Sequence, residues 1–347
     1  MIEDKEYSMS SFLMYRRVVD RNKSFKKNMA INTIPETWNK ELINNSNDLE
    51  IHLKKRMKEI TSDGKAVLAL SGGIDSAVLA RLMPENSETY TFKCIADGKK
   101  VIDETIRAKR YANECKLNNK IIEINWQDMK DCSKILMAHK NAPIHSIEVQ
   151  IYKAAVEAKK AGFTKMIFGE AADVNYGGLS NILSRDWLVG EFIERYSYVK
   201  PWVVLKNPQI DFSYFLDYQE NGYINVHEYL RNFDIIESLN SYKNACETAG
   251  IEFVAPYADT YLNVPLDIKR IRKGGNKYLI REIFNKMYKN FELPDKIPMP
   301  RPTEEWLRDW EGPTRTEFIP GCVKNLTGDQ KWLVWALEKF LNIIDEN

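Results

Sequence analysis

A short apolar run, Ala66-Val67-Leu68-Ala69-Leu70, ends abruptly in Ser71-Gly72-Gly73-Ile74-Asp75-Ser76, after which apolar residues return at helical spacing in Ala77-Val78-Leu79-Ala80-Arg81-Leu82. This reads as strand, glycine loop, helix. Two glycines let the backbone approach an anion, while the N–H groups opening the helix and the Ser71 and Ser76 hydroxyls supply donors for phosphate oxygens. The loop is not a Walker A sequence, because its spacing differs and no lysine follows the second glycine. Gly-Gly and Asp are also common in ordinary tight turns. What favours an anion loop is the context: a strand directly before it and a helix directly after it.

The rest of the chain repeats the alternation. An amphipathic helix is predicted over Asp48 to Ile60, with Leu49, Leu53, Met57 and Ile60 on one face. Strands are predicted at Thr89 to Ile95, Lys120 to Ile124 and Lys165 to Phe168, with helices at Asp103 to Cys115 and Ile147 to Ala161. Such alternation implies an α/β fold with a doubly wound parallel sheet covered on both faces. The strand at Lys165 also ends in a glycine loop, Gly169-Glu170-Ala171-Ala172-Asp173. In open α/β sheets ligands sit beyond the carboxyl ends of the strands, so both loops are expected to face one site. Residues 1–48 are expected to be a lead-in segment, 49–200 the α/β core, and 201–347 a largely helical C-terminal elaboration that completes the domain.

Composition narrows the function. Fifty Lys and Arg against 49 Asp and Glu leave no basic excess to attract nucleic acid or an anionic membrane, which favours a small-molecule substrate. Five scattered cysteines contain no Cys-x-x-Cys pair, which argues against a zinc ribbon or a disulfide framework and for a reducing cytoplasm. The four histidines, His52, His139, His145 and His227, form no metal-binding spacing. Trp306, Trp310, Trp332 and Trp335 recur at helical spacing and are expected to pack in the core.

The loop at Ser71 resembles the pyrophosphate-binding loop of the N-type ATP pyrophosphatases. The segment Gly169-Glu170-Ala171-Ala172-Asp173, followed by Asn175-Tyr176-Gly177-Gly178, further resembles the synthetase domain of asparagine synthetase. Asp103-Glu104 with Ala108 and Ala112, Pro256-Tyr257-Ala258-Asp259, and Lys277-Tyr278-Leu279-Ile280-Arg281 ahead of Leu293-Pro294 extend the resemblance from about Leu49 to Trp310. It implies an adenine nucleotide α-hydrolase-like fold and an AMP-forming ligase that activates a carboxylate for capture by ammonia or an amine. It also implies ATP and pyrophosphate contacts from Ala69, Leu70, Ser71, Gly72, Gly73, Asp75, Ser76, Phe92 and Gly169. Asp75 and Asp173 would hold Mg²⁺, which takes a few carboxylates plus phosphate oxygens. Glu170 falls where the family places a general base for the attacking nitrogen. The lactam-forming branch carries tyrosine there, so glutamate favours an ammonia-type nucleophile.

Three departures qualify the resemblance. The family's lysine shortly after Leu-Pro has no counterpart in Leu293-Pro294-Asp295-Lys296-Ile297-Pro298-Met299-Pro300-Arg301, so Arg301 or Lys296 must neutralise the leaving pyrophosphate, and Arg301 is the catalytic candidate. Val174 replaces the final glutamate of the second loop. The first 48 residues leave no room for a glutaminase domain, so nitrogen is expected from free ammonia, a separate glutaminase or an amine on the acceptor. Three further readings stand beside aspartate amidation: amidation or cyclisation of another carboxylate (a sugar, peptide or secondary metabolite), a non-catalytic ATP-binding subunit, and, less well supported, tRNA thiolation. Self-association into a homo-oligomer is left open.

Overall fold

A computed structural model describes residues 1–33, 40–99 and 101–346. The apolar runs form five parallel strands: β1 (Ala66–Ala69), β2 (Glu88–Cys94), β3 (Asn118–Ile124), β4 (Lys165–Ile167) and β5 (Glu252–Val254). Their order across the sheet is β5-β4-β1-β2-β3. The chain walks outward from β1 to β3, then returns to the far side of β1 with β4. That reversal opens a crevice beyond the carboxyl ends of β1 and β4, the place where open α/β sheets bind ligands. Both glycine loops leave their strands there.

Strand β1 shows why the sheet needs cover on both sides. Successive side chains point to opposite faces, so Ala66 and Leu68 join one core while Val67 and Ala69 join the other. The first core takes Leu53 and Met57 from α2 (Ser46–Thr61) and Val78 from α3 (Ile74–Ala80), with Ala108 and Tyr111 from α4 (Thr105–Glu114). The second takes Leu136 and Met137 from α5 (Trp126–Lys140), Ile151 and Ala155 from α6 (Glu148–Lys160), and Trp332. Each fully buried Leu, Ile or Met contributes roughly 1.5–3 kcal/mol relative to exposure.

The predicted helices and strands of residues 48–168 are all present, with ends shifted by a few residues. Helix α2 starts two residues before the predicted start at Asp48, because the Asn45 side chain accepts from the N–H groups of Asn47 and Asp48. Helix α5 went unpredicted although its start is encoded: Asn125 and Asp128 form a reciprocal capping box. The lead-in segment is more than a leader, for α1 (Lys5–Tyr15) is buried from Tyr7 to Tyr15 and packs into both cores. Residues 34–39 of that segment lie outside the described residues.

The C-terminal part is mostly helical, as expected, yet it also supplies β5, the sheet's edge next to β4. Trp332 and Trp335 are buried and cluster with Trp126 and Trp306, whose indole N–H donates to the Ile95 carbonyl. The tryptophans thus pin the C-terminal helix Gly328–Glu346 to α5.

Candidate active site

The loop after β1 is organised by its own hydroxyls. Ser76 Oγ accepts from the Ser71 N–H at 3.0 Å and lies 2.9 Å from Ser71 Oγ, which accepts in turn from the Gly73 N–H at 3.1 Å. The Gly72 N–H donates to the buried Glu104 carboxylate at 2.9 Å. Burial raises the Glu104 pKa, and the Gly72 N–H offsets part of that rise. Helix α3 opens at Ile74, so its first N–H groups have no acceptor within the helix.

The second loop lies against the first. A Cβ at Gly169 would sit 3.1 Å from Asp75 Cβ and 3.2 Å from the Ser76 nitrogen, which explains glycine at this contact. Two residues on, Ala171 adopts φ 70°, a left-handed backbone that costs a non-glycine residue on the order of 1 kcal/mol. The turn aims Glu170 and Asp173 into the cavity that the first loop lines.

Asp75 and Asp173, about a hundred residues apart in sequence, share one ammonium. Lys277 Nζ bonds Asp75 Oδ2 and lies 2.8 Å from Asp173 Oδ1, and Lys296 Nζ lies 2.9 Å from the same Asp173 oxygen. Burial raises the Asp75 pKa against the pull of Lys277. Burial also acts on Asp173, but Lys277 and Lys296 together outweigh it and hold that carboxyl low. Lys277 is desolvated as well, yet its two carboxylates keep its pKa raised. Among the described residues Asp75 Oδ1 is buried without a hydrogen-bond partner. Gly178 permits the cluster: a Cβ there would fall 1.9 Å from Asp173 Oδ1 and 2.2 Å from Lys277 Cε.

Glu170 is held by helix Ile235–Thr248. Ser238 Oγ donates to Glu170 Oε1 at 2.6 Å, and the Tyr242 hydroxyl one turn later is a second donor. Burial nevertheless raises the Glu170 pKa. Tyr242 is driven well above its ordinary value, first by burial and then by the Glu170 charge, so it remains a donor.

Of the residues singled out from the sequence, Ala69, Leu70, Ser71, Gly73, Asp75, Ser76, Phe92, Gly169, Glu170 and Asp173 line one cavity. Gly72 is behind it, fixed by Glu104. Arg301 is the correction: its guanidinium makes paired 3.0 Å bonds to the Asp329 carboxylate and does not line the cavity. Lys296, on the same extended strap, and Lys277, which the sequence did not single out as a site residue, lie beside the carboxylates. The signal for Lys277 was the turn before it, Gly274-Gly275-Asn276, which leaves Lys277 with φ 52° at the start of helix Tyr278–Met287. His52 and His139 bond Glu41 and Asn244, and His145 and His227 are half-buried with lowered pKa values, desolvation being the main cause.

A sequence profile of the asparagine synthase family matches residues 49–315. The chain belongs to the asparagine synthase family. The matched span contains both loops, Lys277 and Lys296, so the cavity described above is the family domain's own. Membership makes this asparagine synthase family protein an ATP-using enzyme of ligase type. No curated protein matches the sequence. Solved structures with some likeness include the NH3-dependent NAD synthetase of Campylobacter jejuni subsp. jejuni in complex with nitrate, at 14% identity over 74% of this chain and 100% of that one, TM-score 0.27. The U34-tRNA thiolase NcsA of Methanococcus maripaludis with its 4Fe-4S cluster follows at 15% identity, 72% and 82% coverage, TM-score 0.27. The NMN synthetase of Francisella tularensis gives 13% identity, 73% and 99% coverage, TM-score 0.26. Likeness at that level carries no argument, and the fold assignment rests on the strand order. Among the described residues no helix is long and apolar enough to cross a membrane.

Proposed function

We propose that this protein is an AMP-forming carbon–nitrogen ligase that uses ATP to activate a carboxylate as an acyl-adenylate and passes the acyl group to ammonia or an amine. The observation that carries this reading is the sharing of Lys277 by Asp75 and Asp173 beside the Ser71 to Ser76 loop. The reaction has two displacements. A carboxylate oxygen attacks the α-phosphorus of ATP and the bond to the β-phosphate breaks, releasing pyrophosphate; nitrogen then attacks the acyl carbon and AMP departs.

The residues fit Mg²⁺. Asp75 has an unpartnered oxygen, Asp173 faces the same point, and among the described residues no third His, Cys, Asp or Glu joins them, so phosphate oxygens and water would complete the shell. When bound, Mg²⁺ would neutralise part of the triphosphate charge. Lys277 and Lys296 then take up the charge that grows on the departing pyrophosphate, the role the sequence left between Arg301 and Lys296. The loop N–H groups and the Ser71 and Ser76 hydroxyls orient the phosphates.

Glu170 is the base for the nitrogen. An ammonium ion must lose a proton before it can attack, and a carboxylate whose pKa is raised by burial is better matched to that transfer near neutral pH. Ser238 and Tyr242 fix its orientation. Free ammonia, a separate glutaminase or an acceptor amine supplies the nitrogen. The five free thiols suit a reducing cytoplasm.

The test is pyrophosphate release from ATP and Mg²⁺ over a panel of carboxylates with ammonium as co-substrate. Release that depends on aspartate identifies the acceptor, and release that depends on a different acid redirects it. ATP binding without release from any acid makes the chain a binding subunit and removes the ligase reading.

A further inference from the structure

Glu170 is oriented by Ser238 and Tyr242, and both sit on helix Ile235–Thr248. The far end of that helix is tied to the second core: Asn244 Nδ2 donates to Glu148 Oε2 at 2.6 Å and to the Leu136 carbonyl at 3.2 Å. The near end is gripped from elsewhere. Glu237, the neighbour of Ser238, is 6% exposed, and its Oε2 lies 2.8 Å from Arg16 Nη2. Arg16 closes helix α1, where its N–H donates to the Phe12 carbonyl at 2.7 Å and its backbone turns left-handed at φ 59°. Its guanidinium also places Nη1 2.7 Å from His145 Nε2 and bonds the Tyr198 hydroxyl. The His145 pKa is lowered first by desolvation and then by the Arg16 charge, so the ring stays neutral beside the guanidinium. A planar fork that meets three fixed groups holds its position more firmly than a point charge would. Arg16 lies outside residues 49–315, whereas Glu170, Glu237 and Ser238 lie inside them.

We infer that Arg16 is a positioning residue for the amide-forming step: through its pair with Glu237 it fixes the near end of helix Ile235–Thr248, and with it Ser238, Tyr242 and the Glu170 carboxylate. The inference rests on the ligase reading above and adds to it a residue from outside the matched domain. It carries an asymmetry between the two displacements. Arg16 does not line the cavity, and its grip runs to Glu170 and not to the phosphate loop or the two lysines. Activation of the carboxylate is therefore independent of Arg16, while attack by nitrogen depends on it. A purely structural role would instead weaken both steps together.

Amide hydrogen exchange on the full chain tests the grip without any substrate. Arg16→Gln is expected to speed exchange about tenfold or more at residues 236–242 and in the loop 169–173, with residues 244–248 and strand β1 unchanged. Glu237→Gln removes the other charge and should do the same, which keeps the test open if Arg16→Gln does not fold; Arg16→Lys should restore most of the protection. No change at 169–173 overturns the proposal, as does an equal rise in β1, which marks a general loss of stability. Kinetics then test the chemistry with MgATP, aspartate and ammonium, or with whichever acid of the panel above releases pyrophosphate. In Arg16→Gln, single-turnover pyrophosphate release without ammonium should match wild type, while kcat for amide formation falls about tenfold or more. Its acid limb should move up by about one pH unit, because Glu170 loses donors that hold its pKa down. The charge of Asp173, which also faces Glu170, is common to wild type and variant. Equal losses in both steps overturn the proposal. If the wild type releases no pyrophosphate with any acid, the ligase reading falls and the step assigned to Arg16 falls with it, while exchange still decides whether Arg16 holds the Glu170 loop.

Discussion

Replacing Lys277 with methionine tests the central cluster directly. Lys277 is 7% exposed at its side chain, Asp75 18% and Asp173 34%. Removing one partner of a buried ion pair costs about 3–5 kcal/mol, because a charge is left buried without compensation. Asp173 is a third exposed and keeps Lys296, so most of its compensation survives. Asp75 carries the loss, and the low end, about 3 kcal/mol at pH 8, applies. The pH dependence has a definite sign. Without Lys277 only the Lys296 charge is left against the burial and the Asp173 charge that raise the Asp75 pKa, so the folded variant holds a proton that the unfolded chain releases from about pH 4 upward. Where the folded state binds more protons, stability falls as pH rises, by up to about 1.4 kcal/mol per unit for one group. The deficit of Lys277→Met relative to wild type should therefore be small near pH 4.5 and grow towards pH 8. Urea midpoints at the two pH values measure it, with excess Mg²⁺ and ATP expected to recover part of the loss at pH 8. Equal midpoints at pH 8, or a deficit that ignores pH, would show that Asp75 does not depend on Lys277.

Four further outcomes follow from the same geometry. Glu170→Gln should lower kcat for amide formation by about 10²–10⁴, with nucleotide affinity intact by equilibrium binding. In the wild type, activity should rise with pH through the raised Glu170 pKa and be lost below it, and that acid limb should vanish from the residual rate of the variant. Lys296→Ala should slow pyrophosphate release by about 10²–10³ in single-turnover assays, while Arg301→Ala, which breaks a half-exposed pair with Asp329, should leave that step unchanged and cost about 1 kcal/mol or less of stability in thermal unfolding. Gly178→Ala should destabilise the protein by about 1–3 kcal/mol in urea unfolding and depress turnover together, since its Cβ would displace either Asp173 or Lys277.

The sheet from Ala66 to Ile167 was legible because its information is local. Apolar strands, glycine loops and helical stripes follow one another within a few residues, and each boundary is set by neighbours in sequence. Strand β5 was not legible: three residues, Glu252 to Val254, become a strand only because β4 offers them an unpaired edge. Helix α1 likewise lacks a clean apolar face, since it is buried nearly all round between two cores. Periodicity cannot mark a helix that has no wet side.

The sequence left the cation open between Arg301 and Lys296, and only the path of the chain separates the two. The segment after Leu293-Pro294 contains Pro298, Pro300 and Pro302, which keep it extended rather than helical. Its position is fixed by carbonyls that a motif does not encode: Asp295 O accepts from Arg107 at 2.9 Å, and Pro300 O accepts from Gln150 at 2.9 Å and from the Cys94 thiol. Between those two anchors Lys296 reaches Asp173 and the Gly178 carbonyl. Beyond the second anchor Arg301 is carried past the cavity to Asp329 at the start of the C-terminal helix. Which cation of the strap lies beside Asp173 is thus set by where the sheet, α4 and α6 grip its backbone. If that is the rule, Arg107→Ala should weaken the Lys296 position without touching Lys296, raising the dissociation constant for pyrophosphate while Arg301→Ala does not.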